Sequence, residues 1–350
     1  MQLGALARRI LKWLRLLIYV PYSLWPTARI QQLTHLPFSI PEAFELLVLN
    51  KKTSNRMLKE YYSDKLIYVA GMSKSASHLV EQCIVEILAK SDGKNPAPTY
   101  INSPAYMRSI RPAYEWNLRP EMAQAHPDGG VLRSHARATI TNLFVLNLLN
   151  LRKYFIVTRH PADQLTAVYC NLLEELQEAE EGKSRIPVGD HRDWNYNPIS
   201  LIDMDVFKNA KGTEQGIESM MDQGYLHSSL TWITDWLRYR DTHKSLMVRY
   251  EDFIGDRINT LRGISQFVLE ESPGVEVLNS CESLVNRRAQ RRYPVDSRIY
   301  PKGWTGEVGV ADKYFTEKNR AQYLSIVNGF LDYYPGAQLL EELYPDLTRS

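Results

Sequence analysis

One stretch constrains this chain more than any other: residues 65–88, KLIYVAGMSKSASHLVEQCIVEIL. Leu66 to Ala70 is a short apolar, β-prone run, which predicts a strand. Gly71 to Ser77 is small and polar. From His78 on, apolar residues recur at Leu79, Cys83, Ile84, Ile87 and Leu88, the spacing of a helix. A strand, a tight turn and a helix in that order set backbone N–H groups and a helix N-terminus around one point. Lys74, Ser75 and Ser77 add a cation and two hydroxyls there, which together can cradle a phosphate. The same order of elements also serves as plain scaffolding, so the rest of the chain has to decide.

The alternation continues. Gly130 to His135 and Lys153 to Thr158 read as strands, as does Ser245 to Arg249. Helical patterns cover Pro41 to Leu58, Thr139 to Leu151, a run through Glu180, Tyr225 to Arg240, Ile258 to Val268 and Thr316 to Phe330. Ser91 to Pro104 reads as a loop, and Glu181 to Ala210 as an irregular surface loop or lid. Arg287 to Gly309 is basic and punctuated by glycine. This pattern predicts one α/β domain over residues 61–345, with a central, mostly parallel sheet flanked by helices, after a helical lead-in over residues 1–60. At 350 residues the chain is long enough to bury a full core.

Bulk charge excludes little except a global field. A net charge of +2 gives no reason to expect a nucleic-acid partner. Cys83, Cys170 and Cys281 are scattered and odd in number, so neither a disulfide framework nor metal spacing follows. They fit a reducing, cytoplasmic setting. Residues 1–25 mix Arg8, Arg9, Lys12 and Arg15 with Leu, Ile, Trp and Tyr, closed by Pro21. The charges break up the apolar run of about 20 residues that a spanning helix needs. Two readings stand: a helix lying on a membrane surface, or a helix packed on the domain.

Chemistry-bearing residues follow the predicted strands. Lys74 follows the first, His135 the second, Arg159 the third and Tyr250-Glu251-Asp252 the fourth. Ligands of open α/β sheets sit at the carboxyl ends of strands, so these side chains converge on one crevice. Arg159 offers a planar fork suited to phosphate, or a salt bridge to Asp163 one turn on. His135 has a titration range suited to a general base, or caps a strand end by bonding to backbone. His126 and His160 are its competitors. The common nucleotide loop, G-x-x-x-x-G-K-[ST], is not here: Ala76 stands five residues after Gly71 and the lysine precedes it.

The order Ser73-Lys74-Ser75-Ala76-Ser77-His78-Leu79 resembles instead the P-K-S-G-T-T-W loop of sulfotransferases that use 3′-phosphoadenosine 5′-phosphosulfate (PAPS). In that family the loop binds the 5′-phosphosulfate end. The segment FIVTRHPADQLTAVY resembles the family's second signature, with Arg159, Pro161 and Asp163 in place. There a serine eight residues past the arginine helps hold the 3′-phosphate; here that position is Ala167, with Thr166 beside it. Arg133-Ser134-His135 resembles K-T-H, whose histidine is the general base. Tyr250-Glu251-Asp252 matches a largely structural Y-E-D. Residues 300–316 resemble the glycine-rich tail that contacts the 3′-phosphate, with Lys302-Gly303 in one register and Thr305-Gly306, with a nearby arginine such as Arg298, in the other. The departures are Ala76 for Gly, His78 for Thr, Leu79 for Trp and Ala167 for Ser.

The resemblance, over roughly Lys65 to Thr316, implies a divergent member of that family with a single P-loop-like domain. It implies sulfuryl transfer from PAPS to a hydroxyl or amine, with His135 as base and Lys74 stabilising the leaving group. Lys74, Ser75, Ala76, Ser77, His78, Arg159, Thr166, Ala167, Lys302 and Gly303 would hold the nucleotide, and no metal is required. The acceptor is a small molecule, a glycan or a lipid. Arg287, Arg288, Arg291 and Arg292 would suit an anionic one, or form a solvated helix face. Trp116, Trp194 and Trp232 would stack on a sugar or an aromatic, or fill core. Two rival readings remain: a P-loop-type nucleotide kinase, and a non-catalytic relative at a membrane surface.

Overall fold

The computed structural model describes residues 66–92, 98–100, 130–138, 142–143, 146, 151, 153–180, 202–292 and 307–348. Five segments become strands: β1 (Leu66–Gly71), β2 (Pro98–Tyr100), β3 (Gly130–Ser134), β4 (Lys153–Thr158) and β5 (Ser245–Arg249). They form one sheet in the order β2-β3-β1-β4-β5, with every neighbouring pair parallel. The α/β class with a parallel sheet is as expected. β1 and β4 are buried at every residue, as apolar strands in the middle of a parallel sheet must be.

Eleven helices surround the strands among the described residues: α1 (Ser77–Asp92), α2 (Pro161–Glu180), α3 (Met204–Asn209), α4 (Gly212–Asp222), α5 (Tyr225–Tyr239), α6 (Tyr250–Gly255), α7 (Arg257–Leu269), α8 (Val275–Arg292), α9 (Ala311–Tyr314), α10 (Glu317–Tyr333) and α11 (Gln338–Leu343). The two-residue period of the strands sorts the core into layers. Leu66, Tyr68 and Ala70 join Tyr154 and Ile156 on one face, packed with Leu165 of α2, Trp236 of α5 and Tyr323 of α10. Ile67 and Val69 join Phe155 and Val157 on the other, packed with Ile84 of α1, Leu261 of α7 and Cys281 of α8. Each fully buried aliphatic or Phe side chain contributes roughly 2 kcal/mol.

Register places the carboxyl ends together. Ala70 pairs with Ser134, Gly71 with Val157 and Thr158 with Arg249. The turns that carry Lys74, His135, Arg159 and Tyr250 therefore open on the same edge. Gly71 is required where β1 ends, since a Cβ there would lie 2.1 Å from Ser77 Cβ. At the far end of the chain, Thr316 and Asn319 form a reciprocal capping box that starts α10.

Several expectations shift. Tyr250-Glu251-Asp252 directly follows β5, as expected, and also opens α6. The end of the expected irregular stretch, residues 204–209, is α3, with Phe207 buried 5.8 Å from the Tyr169 ring. Residues 275–292 form α8, so the arginine cluster lies on a helix. Residues 1–65, most of 139–151, the stretch 181–201, Arg298, Lys302, Gly303, Trp116, Trp194 and His126 fall outside the described residues.

Candidate active site

The turn after β1 is tight and internally bonded. The Ser75 N–H and hydroxyl both donate to the Met72 carbonyl, at 3.2 and 2.7 Å. Lys74 and Ala76 adopt left-handed backbone, with φ of 63° and 66°. For residues other than glycine each such conformation costs on the order of 1 kcal/mol or more. Ala76 does therefore occupy the conformation that a glycine would hold freely. The Ala76 carbonyl accepts from the Leu79 and Val80 N–H groups. The first turn of α1 leaves its leading N–H groups without intrahelical acceptors, facing the turn. Ser75 and Ser77 are buried at 0% and 4% exposure, so both hydroxyls line the inside of the turn. Gln164 of α2 fixes the turn from behind, its Nε2 donating to the Ser73 carbonyl and to the Tyr225 hydroxyl, both at 2.9 Å. Lys74 Nζ donates to Asn171 Oδ1 on α2.

His135 lies beside this turn. Its Nδ1 bonds to the Gly71 carbonyl, which can only accept, so Nδ1 carries the proton and Nε2 is the ring's acceptor. Two tryptophans of α5 hold the backbone at His135 and the residue after it. Trp232 Nε1 donates to the carbonyls of His135 (3.1 Å) and Ala136 (3.0 Å), and Trp236 Nε1 to that of Ala136 (3.1 Å). Trp232 is thus core, and it fixes the backbone at His135. Burial drives the His135 pKa down to about 4, helped by the Arg133 and Lys74 charges and opposed by the Gly71 bond. The ring is neutral at neutral pH.

Arg133 bonds through Nε to Glu81 of α1 at 2.9 Å, and His78 Nδ1 lies 3.1 Å from the same carboxylate oxygen. Glu81 is 2% exposed and its other oxygen has no hydrogen-bond partner. His78, expected among the nucleotide contacts, is therefore tied along α1 to Glu81.

On the β4 side Arg159 is 3% exposed and stacks 4.2 Å from the Tyr250 ring centroid. Its Nη1 donates to the Lys74 carbonyl (3.4 Å) and its Nη2 to the Glu307 carbonyl (2.9 Å). Asp163 does not answer Arg159; its two oxygens accept from the N–H groups of Gly309 (2.7 Å) and Ala311 (2.9 Å). The two residues clamp residues 307–311 against the end of β4. Thr166 donates to the Ala162 carbonyl at 3.0 Å, and Ala167 belongs to the core. His160 points elsewhere, edge-on to the Tyr344 ring at 5.4 Å, in a pocket of about 190 Å³ shared with Arg249 and Glu251. Glu251 accepts from the His160 N–H at 2.7 Å, and burial raises its pKa against the pull of that bond and of two arginines.

Sequence reasoning missed Asn171, Glu81 and Gln164. Only Glu81 carried a local signal, three residues after His78 on one helix face. Among the described residues no cluster of His, Cys, Asp and Glu is arranged to hold a metal ion, and no helix is long and apolar enough to cross a membrane.

No family model matches the sequence, and no curated protein matches it. Solved structures do. Mouse sulfotransferase SULT7A1 complexed with PAP is 12% identical, over 84% of this chain and 94% of that one, with a TM-score of 0.49. Retinol dehydratase in complex with androsterone and inactive cofactor PAP is 14% identical, over 80% and 88%, with a TM-score of 0.46. Retinol dehydratase in a complex with retinol and PAP is 13% identical, over 80% and 87%, with a TM-score of 0.47.

Proposed function

We propose that this chain transfers a sulfuryl group from PAPS to a hydroxyl or amine of a small-molecule, glycan or lipid acceptor. One observation carries the reading: a lysine on a phosphate-type turn stands beside a histidine whose acceptor nitrogen is fixed by its other bond. Lys74 supplies the cation, the first turn of α1 supplies N–H groups, and the turn is rigid before any ligand arrives. When bound, the nucleotide donor supplies the sulfuryl group. His135 Nε2 accepts the acceptor's proton, and the neutral resting ring needs no prior deprotonation to do so. Lys74 stabilises the charge that develops on the leaving oxygen. Trp232 and Trp236 keep the base in place, so little motion is needed at the moment of reaction. Ser75, Ser77 and Ala76 shape the 5′ side. Arg159, together with Lys302 and Gly303, is assigned to the 3′-phosphate.

The fit has a specific cost. Arg159 already holds two carbonyls, so a phosphate there would have to share the guanidinium with them, with the Nε–H as the buried donor that has no partner. Leu79 offers no ring for the adenine. The test is a melting-temperature screen of the full chain with adenosine 3′,5′-bisphosphate against ATP–Mg²⁺. A ligand at 100 times its dissociation constant stabilises by about 2.7 kcal/mol, which is several degrees. A shift with the bisphosphate alone supports the reading. A shift with ATP–Mg²⁺ alone replaces it with a kinase, and no shift with millimolar bisphosphate removes it in favour of a non-catalytic relative.

A further inference from the structure

We propose that Asn171 is the positioning residue for Lys74, holding the ammonium with a neutral acceptor so that its charge remains available to an anion in the turn. The proposal rests on the nucleotide reading above and adds a residue to it. Lys74 carries four rotatable bonds on this turn, and a lysine left to itself loses rotamer freedom when it is ordered. Here the ordering is done in advance, because Asn171 Oδ1 accepts from Nζ across the gap between the turn and α2. Asn171 lies four residues after Ala167, one helical turn further along the same face of α2. It therefore reaches the turn although Ala167 has no polar atom and the Thr166 hydroxyl is turned back onto Ala162.

The chemistry of the acceptor matters. A carboxylate at this position would also hold Lys74, but it would cancel the ammonium's charge and repel a phosphate. A carboxamide oxygen fixes direction without doing either. Left-handed backbone at Lys74 and Ala76, with the Ser75 hydroxyl bonded between them, keeps the lysine's starting point fixed, so Asn171 has only the side chain left to orient. Glu81, the buried carboxylate nearest in sequence on the other side of the turn, is bonded to Arg133 and His78.

Two variants of the full chain test this, Asn171→Asp and Asn171→Ala, each with two readouts. The first readout is the dissociation constant for adenosine 3′,5′-bisphosphate at neutral pH by calorimetry. Asn171→Asp is expected to weaken binding about 10-fold or more, and Asn171→Ala to weaken it by less than about 3-fold, since removing a neutral acceptor leaves the ammonium its charge. The second readout needs no nucleotide: the titration of the Lys74 amine, followed by NMR of carbon-labelled methylated lysines and assigned with Lys74→Arg. An opposite charge favours the charged form, so Asn171→Asp is expected to raise the Lys74 midpoint by about one unit. A residue that merely packs α2 would lower the melting temperature in both variants without moving that midpoint. An unmoved Lys74 midpoint in Asn171→Asp overturns the proposal. If wild type does not bind the bisphosphate, the nucleotide reading is the one that fails, and the Lys74 midpoint alone decides the pairing.

Discussion

At the carboxyl ends of β1 and β3, the reactive side chains are held by neutral groups: His135 by the Gly71 carbonyl and Lys74 by the Asn171 carboxamide. At the carboxyl ends of β4 and β5, the charged groups are bonded to the chain's own main chain. Arg159 holds the carbonyls of Lys74 and Glu307, Asp163 the amides of Gly309 and Ala311, and Glu251 the amide of His160. The first side has its ligand-facing atoms already selected. The second is bonded to the chain's own main chain, yet it keeps Arg159 Nε, Arg249 Nε, His160 Nε2 and Glu251 Oε2 buried without a hydrogen-bond partner. The two sides should respond differently to substitution.

The largest expected effect is on the first side. With the ring in its proposed role of proton transfer rather than anion binding, His135→Ala should lower turnover about 100-fold or more while bisphosphate affinity stays within a few-fold. Equal losses in both quantities would erase the distinction between the sides. Arg159→Ala should do the reverse, weakening bisphosphate binding by roughly 10- to 100-fold, the range for hydrogen bonds to a charged group. It should also lower the melting temperature, because the Glu307 and Lys74 carbonyls lose their donor. Arg159→Lys should recover little of the affinity, for an ammonium cannot make two divergent bonds from one plane. A variant that melts lower but binds the bisphosphate as wild type does would make Arg159 a clamp and nothing more.

A smaller effect separates the sides by pH. The folded His135 titrates near 4 and its unfolded form near 6.5. Between those values the unfolded chain binds the extra proton, so this group's contribution to stability is full above pH 6.5 and is lost as pH falls through 4. Burial likewise lowers the His160 pKa, with Asp346 and Asp163 opposing burial and Arg249 and Arg159 assisting it. The raised Glu251 carboxyl works the other way, gaining its proton earlier in the folded state. Wild type should therefore lose melting temperature more steeply than His135→Gln between pH 6.5 and 4. Parallel curves would mean that His135 is less shielded than its position implies.

What could be read in the sequence divides along the same line. β1, β4 and β5 were legible because apolar strands in a parallel sheet need only be apolar and short. The turn at Lys74 and the histidine at the end of β3 were legible because their chemistry sits on a local pattern. Asn171 and Gln164 were not, since each acts across 91 or 97 residues of sequence and nothing near it distinguishes it from any polar residue on a half-buried helix. The Arg159–Asp163 salt bridge was a fair local expectation. It lost to two backbone amides at residues 309 and 311, which no local rule brings to Asp163. α8 was obscured because its arginine-rich end dominated the reading of a helix whose apolar stripe, Leu278, Cys281 and Val285, lies earlier.

The smallest effect tests how far the turn itself has been optimised. Ala76 holds a φ of 66°, where a Cβ is strained and a glycine is not. Its neighbour Lys74 shares the conformation at 63°, but a glycine there would remove the cation. Ala76→Gly relieves the folded state but frees the unfolded chain, and the two effects oppose each other. With native φ positive the first should win, by about 1 kcal/mol at most, raising the melting temperature by about 2–4 °C. Bisphosphate affinity should hold or improve slightly, because the amides of the turn keep their directions. A lower melting temperature would mean that residue 76 does not carry strain, and that the turn's rigidity comes from Ser75 and Gln164 alone. Ala76→Val gives the opposite limb: a branched side chain in left-handed backbone should melt lower and weaken the bisphosphate, and if it does neither the turn is not left-handed at that position in solution.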